Sequence, residues 1–415
     1  MLKELDVKDW VFCRRKSLFG VYDSVSSIVE NVRKNGDAAL YEYAKKFDHV
    51  ELENLMVTED EIEASYDSVD PKLVECLREA ESRIFRFHEL QKKEDLWLRE
   101  VWPGITLGVK TTPLERVGCY IPGGRASYPS TALMTAVPAK VAGVPEICAC
   151  TPPPVNPLTI VAFDIAGVSE IYRVGGAQAV AAMALGTESV KKVDKIVGPG
   201  NVFVTAAKMM LRENAEIDFP AGPSEIGIIA DSSASPEYVA ADILAQAEHD
   251  PNAACVLVTT QRRVAEKVCA EIEKQFKSAE RKEIIEKALS NSGFVIVDSI
   301  DDAVSVINDI APEHLSVQVS DSLYVLNHIK NAGSIFVGPY TPVACGDYAS
   351  GTNHVLPTAG YSKIYSGLNV SHFCKTSTVQ IIEKDGLEGI GDIVETLAGA
   401  EGLYAHANSV KIRRK

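Results

Sequence analysis

Hydrophobic positions in the first hundred residues recur at helical steps. Leu73, Leu77, Ala80, Ile84 and Phe87 fall at intervals of four and three, one face of a helix. Asp70-Pro71 supplies its N-cap and first-turn proline. Thr58 and Glu61 form a capping box for a shorter helix, and Gly36-Asp37 ends one helix and caps the next. Residues 1–100 therefore read as helical packing without chemistry. Near residue 116 the pattern changes. RVGCYI (116–121), EICACT (146–151), EIYRV (170–174) and KIV (195–197) are short apolar runs that suit strands, and helical stretches separate them. The rhythm repeats with EIGIIAD (225–231), ACVLVTT (254–260), FVIVDS (294–299), LSVQV (315–319), LYVLNHI (323–329) and SIFVG (334–338).

Strands alternating with helices imply parallel sheets joined by right-handed crossovers. Two such lobes are expected, at roughly 122–223 and 224–340. Beyond 340 the patterning fades, and loops with short helices are expected. Three glycine turns, IPGGR (121–125), VGGAQ (174–178) and VGPGN (197–201), each follow a strand and open a helix. In open α/β sheets that edge is where ligands bind, and helix N-termini there can hold phosphate.

A chain of 415 residues exceeds one small core, so two or more domains are expected. A formal charge of −15 excludes the broad basic face that nucleic acid or an anionic membrane would need. The start MLKELDVKDW is charged throughout and does not read as a signal peptide, and no apolar run reaches the ~18 residues of a membrane span. The scattered cysteines read as reduced, buried small hydrophobes in a cytosolic protein, Cys119 and Cys345 included.

Candidate chemistry lies in the histidines. Gln246 and His249 stand three apart at a helix end, placed either to coordinate a divalent metal or simply to close a polar C-terminus. Glu313 and His314 follow Pro312 at a strand start. They are either solvated residues or a base pair, since imidazole titrating near ~6.5 can take a proton from an alcohol. Asp347 and His354 share the loop GDYASGTNHVLPT (346–358), and Glu401 and His406 share EGLYAHANSV (401–410). Spacing alone does not decide whether these pieces converge.

As an ordered set, VGCYIPGGRASYPST, GGAQAV, GPGN, FPAGPSE, AQAEH, PEHL, GDYASGTNHVLPT and EGLYAHANSV resemble the histidinol dehydrogenase family, from about residue 20 to the C-terminus. The resemblance implies an α/β fold of two Rossmann-like parallel-sheet lobes, with a helical N-terminal segment and an extended C-terminal tail. The expected division is an N-terminal segment 1–11; a domain of 12–121 plus 224–368 carrying metal and catalytic residues; an NAD-side domain 122–223; and a tail 369–415 serving the partner subunit. The resemblance further implies a cytoplasmic homodimer with shared sites, one Zn2+ per subunit, NAD as cofactor and L-histidinol as substrate. Metal ligands would be Gln246, His249, Asp347 and His406, the last from the partner. Glu313 and His314 would be the acid–base pair. Ser224, His354 and Glu401 would join the metal ligands and His314 in contacting substrate. Tyr120, Gln178 and Asn201 would contact NAD. A dehydrogenase for another small polar alcohol, and a non-catalytic metal- or nucleotide-binding protein, are the rival expectations.

Overall fold

The structure is a computed structural model describing residues 2–7, 10, 19–123 and 127–415. Gly124 and Arg125, the end of the first expected glycine turn, lie outside the described residues. The chain divides into two compact units, one of residues 1–91 and 115–373, the other of residues 92–114 and 374–415.

The larger unit holds two sheets in which every recorded strand pairing is parallel. The first runs, side by side, Lys3–Glu4, Gly293–Ile296, Ala254–Thr259, Glu225–Ala230, His314–Gln318 and Ser334–Val337. Its central strands are buried on both faces, which is why they read as unbroken apolar runs. Successive side chains go to opposite helical layers. Ile226, Ile228, Cys255 and Leu257 join the core with the helix Pro236–Ala247, while Ile229, Val256 and Val258 join that of the helix Ile300–Ile310.

The second sheet runs Glu170–Tyr172, Glu146–Cys150, Arg116–Tyr120, Lys195–Val197 and Glu216–Ile217. Its central strand is Arg116–Tyr120, placed by sequence with the other domain; it is fully buried and pairs on both sides. The chain leaves this strand in one direction and returns on the other side at Lys195–Val197, so the order reverses between them.

The caps at Asp70 and Thr58 form as expected. At Gly36 the helix Tyr22–Tyr43 breaks at φ 50°, ψ −129°, and the Glu188 carboxylate accepts the freed Asp37 N–H at 2.8 Å. The helix Pro71–Glu89 turns differently from expectation. Leu73 and Phe87 are exposed, and the inner stripe ends in Ile84 and His88. LYVLNHI also departs from the strand reading, since Ser322–His328 is a helix.

The smaller unit was largely missed. Leu96–Trp102, Ile105–Pro113 and Cys374–Ile382 form an antiparallel sheet with Ile105–Pro113 in the middle. Helices Lys384–Ala400 and Tyr404–Lys411 follow, where loops with short helices were expected; the first is a long helix of 17 residues. Arg414 ties them together by ion pairs to Glu388, Asp392 and Glu395. The Leu96–Trp102 strand is exposed throughout, so it lacks the one-sided alternation that marks a strand in sequence.

Of the expected buried thiols, Cys119, Cys148, Cys150 and Cys255 are buried, but Cys76 and Cys345 are exposed. Among the described residues no helix is long and apolar enough to cross a membrane.

Burial pushes the Asp242 carboxyl up to about 6, against bonds from the Val343 backbone and the Ser316 hydroxyl that favour its charge. Folding then holds the proton more tightly between pH 4 and pH 6, roughly, so stability falls as pH rises through that window. Asp242→Asn removes this fall. Thermal denaturation should show it stabilised by about 1–2 kcal/mol at neutral pH and little changed near pH 4.

Candidate active site

In a parallel crossover the helix runs back against its strands, so its C-terminus returns to the edge where they begin. The helix Pro236–Ala247 follows the strand Glu225–Ala230 and returns Gln246 and His249 to the sheet's N-terminal edge. Glu225 opens one strand there, and His314 opens the neighbour paired to it.

Two glutamates join these strand starts. The Glu313 carboxylate accepts the Glu225 backbone N–H at 2.8 Å, and the Glu225 carboxylate accepts the Glu313 N–H at 3.2 Å. Glu225 also accepts the Ala359 N–H at 3.1 Å and is 0% exposed. Sequence reading passed over Glu225, because a glutamate opening an apolar strand looks like an edge charge.

His314 is buried beside this pair. Its Nδ1 lies 3.3 Å from the Glu225 carbonyl, which can only accept, so Nδ1 carries the proton in the neutral ring. Nε2 then bears the lone pair. It has no hydrogen-bond partner and faces Asp347 Oδ1 at 3.6 Å, too far for one. Glu313 Oε2 lies 3.6 Å from Nδ1. Burial lowers the affinity of the His314 ring for a second proton, but Glu313 and Asp347 outweigh it and the net direction is upward. Burial raises the Asp347 carboxyl, and the histidines around it, His314 foremost with His354 and His249, turn the net shift downward.

Asp347 lies in the short helix Val343–Tyr348 rather than in a loop. His354 Nδ1 donates to the Asp347 carbonyl at 2.9 Å, so Nε2 accepts the Thr131 hydroxyl at 3.1 Å. Both ring nitrogens are thus engaged, and burial lowers its proton affinity. Next to it, Asn353 donates to the Met134 carbonyl at 2.7 Å and approaches His88 Nε2 at 3.4 Å. Buried His88 donates to Ile84. Thr131, Asn353 and His88 thus fasten the stretch after Asp347, and sequence gave no signal for them.

Gln246 is buried, and neither atom of its amide has a partner among the described residues. His249 is open to solvent on one side, yet crowding protein pushes its proton affinity down, and the charges of Asp347 and His314 act on it in opposite senses. Ser224 is half-buried, just before Glu225. Among the described residues no three His, Cys, Asp or Glu side chains stand close enough to hold a metal. Glu401 and His406 belong to the smaller unit, where both are exposed, Glu401 at the C-cap of Lys384–Ala400 and His406 on the helix Tyr404–Lys411.

The other expected contacts gather at the C-terminal edge of the second sheet. Tyr120 ends the central strand, and its hydroxyl accepts the Gly176 N–H at 3.1 Å. Gln178 is buried in the helix opened by that turn. Asn201 caps the helix Val202–Met210 by accepting the Phe203 and Val204 N–H groups. The edge is where the strand order reverses, the usual ligand crevice of an open α/β sheet.

The larger unit is an α/β architecture of two all-parallel sheets, with an imidazole between carboxylates at the strand starts of one of them. A salicylaldehyde dehydrogenase from Pseudomonas putida G7 aligns at TM-score 0.52 and 11% identity, covering 92% of this chain and 91% of that one, a likeness of fold alone. The histidinol dehydrogenase family model matches residues 14–414, and the chain belongs to that family of oxidoreductases. It is 55% identical to a histidinol dehydrogenase of Methanosarcina mazei, covering 96% of this chain and 93% of the relative. It is 50% identical to that of Methanocaldococcus jannaschii, at 100% and 98% coverage. The crystal structure of the Elizabethkingia anophelis histidinol dehydrogenase aligns at TM-score 0.94 and 38% identity, covering 99% and 96%.

Glu225→Ala leaves the buried Glu313 and half-buried Ala359 N–H groups without this acceptor. It should destabilise the protein by roughly 2–4 kcal/mol in chemical denaturation, with Glu225→Gln in between. An Ala variant as stable as wild type would remove the role given to Glu225.

Proposed function

We propose that the chain is a zinc-dependent, NAD-linked homodimer that oxidises L-histidinol to L-histidine in two steps through a retained aldehyde. The observations that carry this reading are the buried His314 Nε2, which faces Asp347, and the buried Gln246 amide, neither of which has a hydrogen-bond partner among the described residues. A buried polar group without a partner is rare and asks for a ligand. Gln246, His249 and Asp347 offer an amide oxygen, an imidazole and a carboxylate, a donor set that suits zinc with positions left open. The partner's His406 would complete it. Only His249 and Asp347 of that set are His, Cys, Asp or Glu within one chain, which accords with no cluster of three such residues among the described ones.

When bound, zinc supplies a Lewis-acidic anchor for the imidazole and amine of histidinol, and NAD supplies the hydride acceptor of each oxidation. The protein's own groups do the rest. His314 Nε2 takes the carbinol proton in the first oxidation. Glu313, on the Nδ1 side, favours the imidazolium that results. The Glu313 carboxylate takes a proton from the water that adds to the aldehyde. His314 then takes the hydroxyl proton of that hydrate in the second oxidation. Ser224, His354 and Glu401 contact substrate; a contact through His354 Nε2 replaces the Thr131 hydroxyl now bonded there. Tyr120, Gln178 and Asn201 serve NAD at the second sheet's reversal point. Residues 224–368 would form the catalytic side, and 122–223 together with the strand Arg116–Tyr120 the NAD side.

The smaller unit supports a partner subunit. It leaves Trp97, Trp102, Ile393, Leu397, Tyr404 and Ile412 exposed, and apolar exposure on this scale marks an interaction surface. The biosynthetic family fits the cytoplasm.

Wild-type enzyme should release two NADH per histidinol and hold one zinc per subunit. His314→Asn should keep the zinc, measured by metal analysis, and lose turnover by about 10²–10⁴-fold. Near-normal turnover in that variant, or full activity in metal-free protein, would overturn the reading. The shared site has a separate check. His314→Asn and His406→Asn subunits, each inactive alone, should recover about a quarter of wild-type activity on random exchange, since only mixed dimers carry one intact site. No recovery after exchange shown by mass spectrometry would count against it.

A further inference from the structure

Behind the Gly198–Asn201 turn lies an ion pair that the proposed reaction does not use. Lys208, on the helix Val202–Met210, pairs with Asp218, and the two side chains are almost wholly buried. Their remaining bonds go to the turn. Lys208 Nζ donates to the Gly198 carbonyl at 3.0 Å. Asp218 Oδ2 accepts the Gly198 N–H at 2.8 Å, and Oδ1 accepts the Phe219 N–H at 2.7 Å. Both polar groups of Gly198 are thereby gripped by opposite charges. Its φ is 115°, which only glycine adopts readily, and a Cβ there would stand 2.1 Å from the Tyr120 carbonyl oxygen. The turn is held on three sides.

In a P-loop the lysine that follows the glycine turn reaches the ligand's phosphate. Lys208 does not: its ammonium is buried between Gly198 and Asp218. Burying two charges costs several kcal/mol, and an apolar pair of equal volume would often fold as well. An apolar pair could not bond both peptide groups of Gly198. Thr205, on the same helix, adds a bond from its hydroxyl to the Ala221 carbonyl at 2.9 Å. The stretch after Asp218 runs on to Ser224 and Glu225.

We infer that Lys208 and Asp218 are positioning residues for the dinucleotide: they fix the Gly198–Asn201 turn in the shape that receives NAD. This rests on the reading that NAD binds at the C-terminal edge of the second sheet. Neither residue touches cofactor or substrate.

The test is steady-state kinetics on the zinc-loaded full-length dimer. Lys208→Met/Asp218→Asn removes both charges at nearly constant volume. Lys208→Gln/Asp218→Asn is gentler, keeping a neutral donor and acceptor, and serves if the first variant folds poorly. The first should raise KM for NAD about tenfold and the second about threefold. In both, KM for histidinol and zinc content should stay unchanged, with kcat at saturating NAD within about twofold of wild type. A merely structural pair would lower the folded fraction without separating these constants. Asn201→Ala is run alongside. If it raises KM for NAD while the pair variants leave it unchanged, the positioning role is overturned and the NAD edge stands. If none of the variants moves KM for NAD, the placement of NAD at this edge falls, and the positioning role with it.

Discussion

The site depends on one constraint of parallel topology: a crossover helix ends where its strands begin. That brings Gln246 and His249 back to the edge at which Glu225 and His314 open their strands. Strand starts bring a difficulty, because their first N–H groups lie outside the ladder and need acceptors. The Glu225–Glu313 exchange answers it. Each carboxylate bonds the other residue's backbone, so the two strand starts are locked and two acidic side chains are held in a buried place. His314 then receives its tautomer from the Glu225 carbonyl. Without the exchange the imidazole would have neither a fixed orientation nor a charged neighbour on its Nδ1 side.

The two sheets of the larger unit use opposite edges. The second uses the C-terminal edge, where its order reverses and glycine turns open helices. The first uses its N-terminal edge, against the general expectation for open α/β sheets. The covalent link between them is short, from Asp218 at the clasped turn to Ser224 and Glu225 at the strand start. Side chains add others: Thr131 and Met134 sit on the helix Pro129–Ala142 and bond His354 and Asn353. The groups proposed to take a proton and those proposed to hold a dinucleotide thus stand on separate sheets, joined by a few short connections.

Much of this was legible in the sequence for definite reasons. Caps at Thr58 and Asp70 are local, and buried parallel strands announce themselves as apolar runs. The motif set pointed to Gln246, His249, Glu313, His314 and Asp347, and of these His314 stands 3.6 Å from both Glu313 and Asp347. Long-range pairing was not legible. Arg116–Tyr120 reads the same whichever sheet takes it. The smaller unit hid because its edge strand is exposed throughout and its sheet joins segments more than two hundred residues apart. Glu225, Thr131, Asn353 and His88 escaped notice because their roles are bonds to distant backbone or side chains, and no spacing encodes these.

The unpartnered amide of Gln246 shows how such a site is kept. A buried primary amide left unsatisfied opposes folding by about 1–3 kcal/mol. A core helix would do better with Leu or Met at that position. The helix Pro236–Ala247 is otherwise well packed through Val239, Ala240 and Ile243, so it can carry the defect without losing its place. His314 Nε2 is a second buried atom without a partner near the same edge. Two such deficits on neighbouring elements are not explained by packing, since each could be relieved by a local apolar substitution. They are explained together if the edge is built to be completed from outside the chain, by a cation at the amide and a substrate hydroxyl at the imidazole. Stability is then lowest in the empty protein and recovered on binding, as linkage requires of any ligand that prefers the folded state.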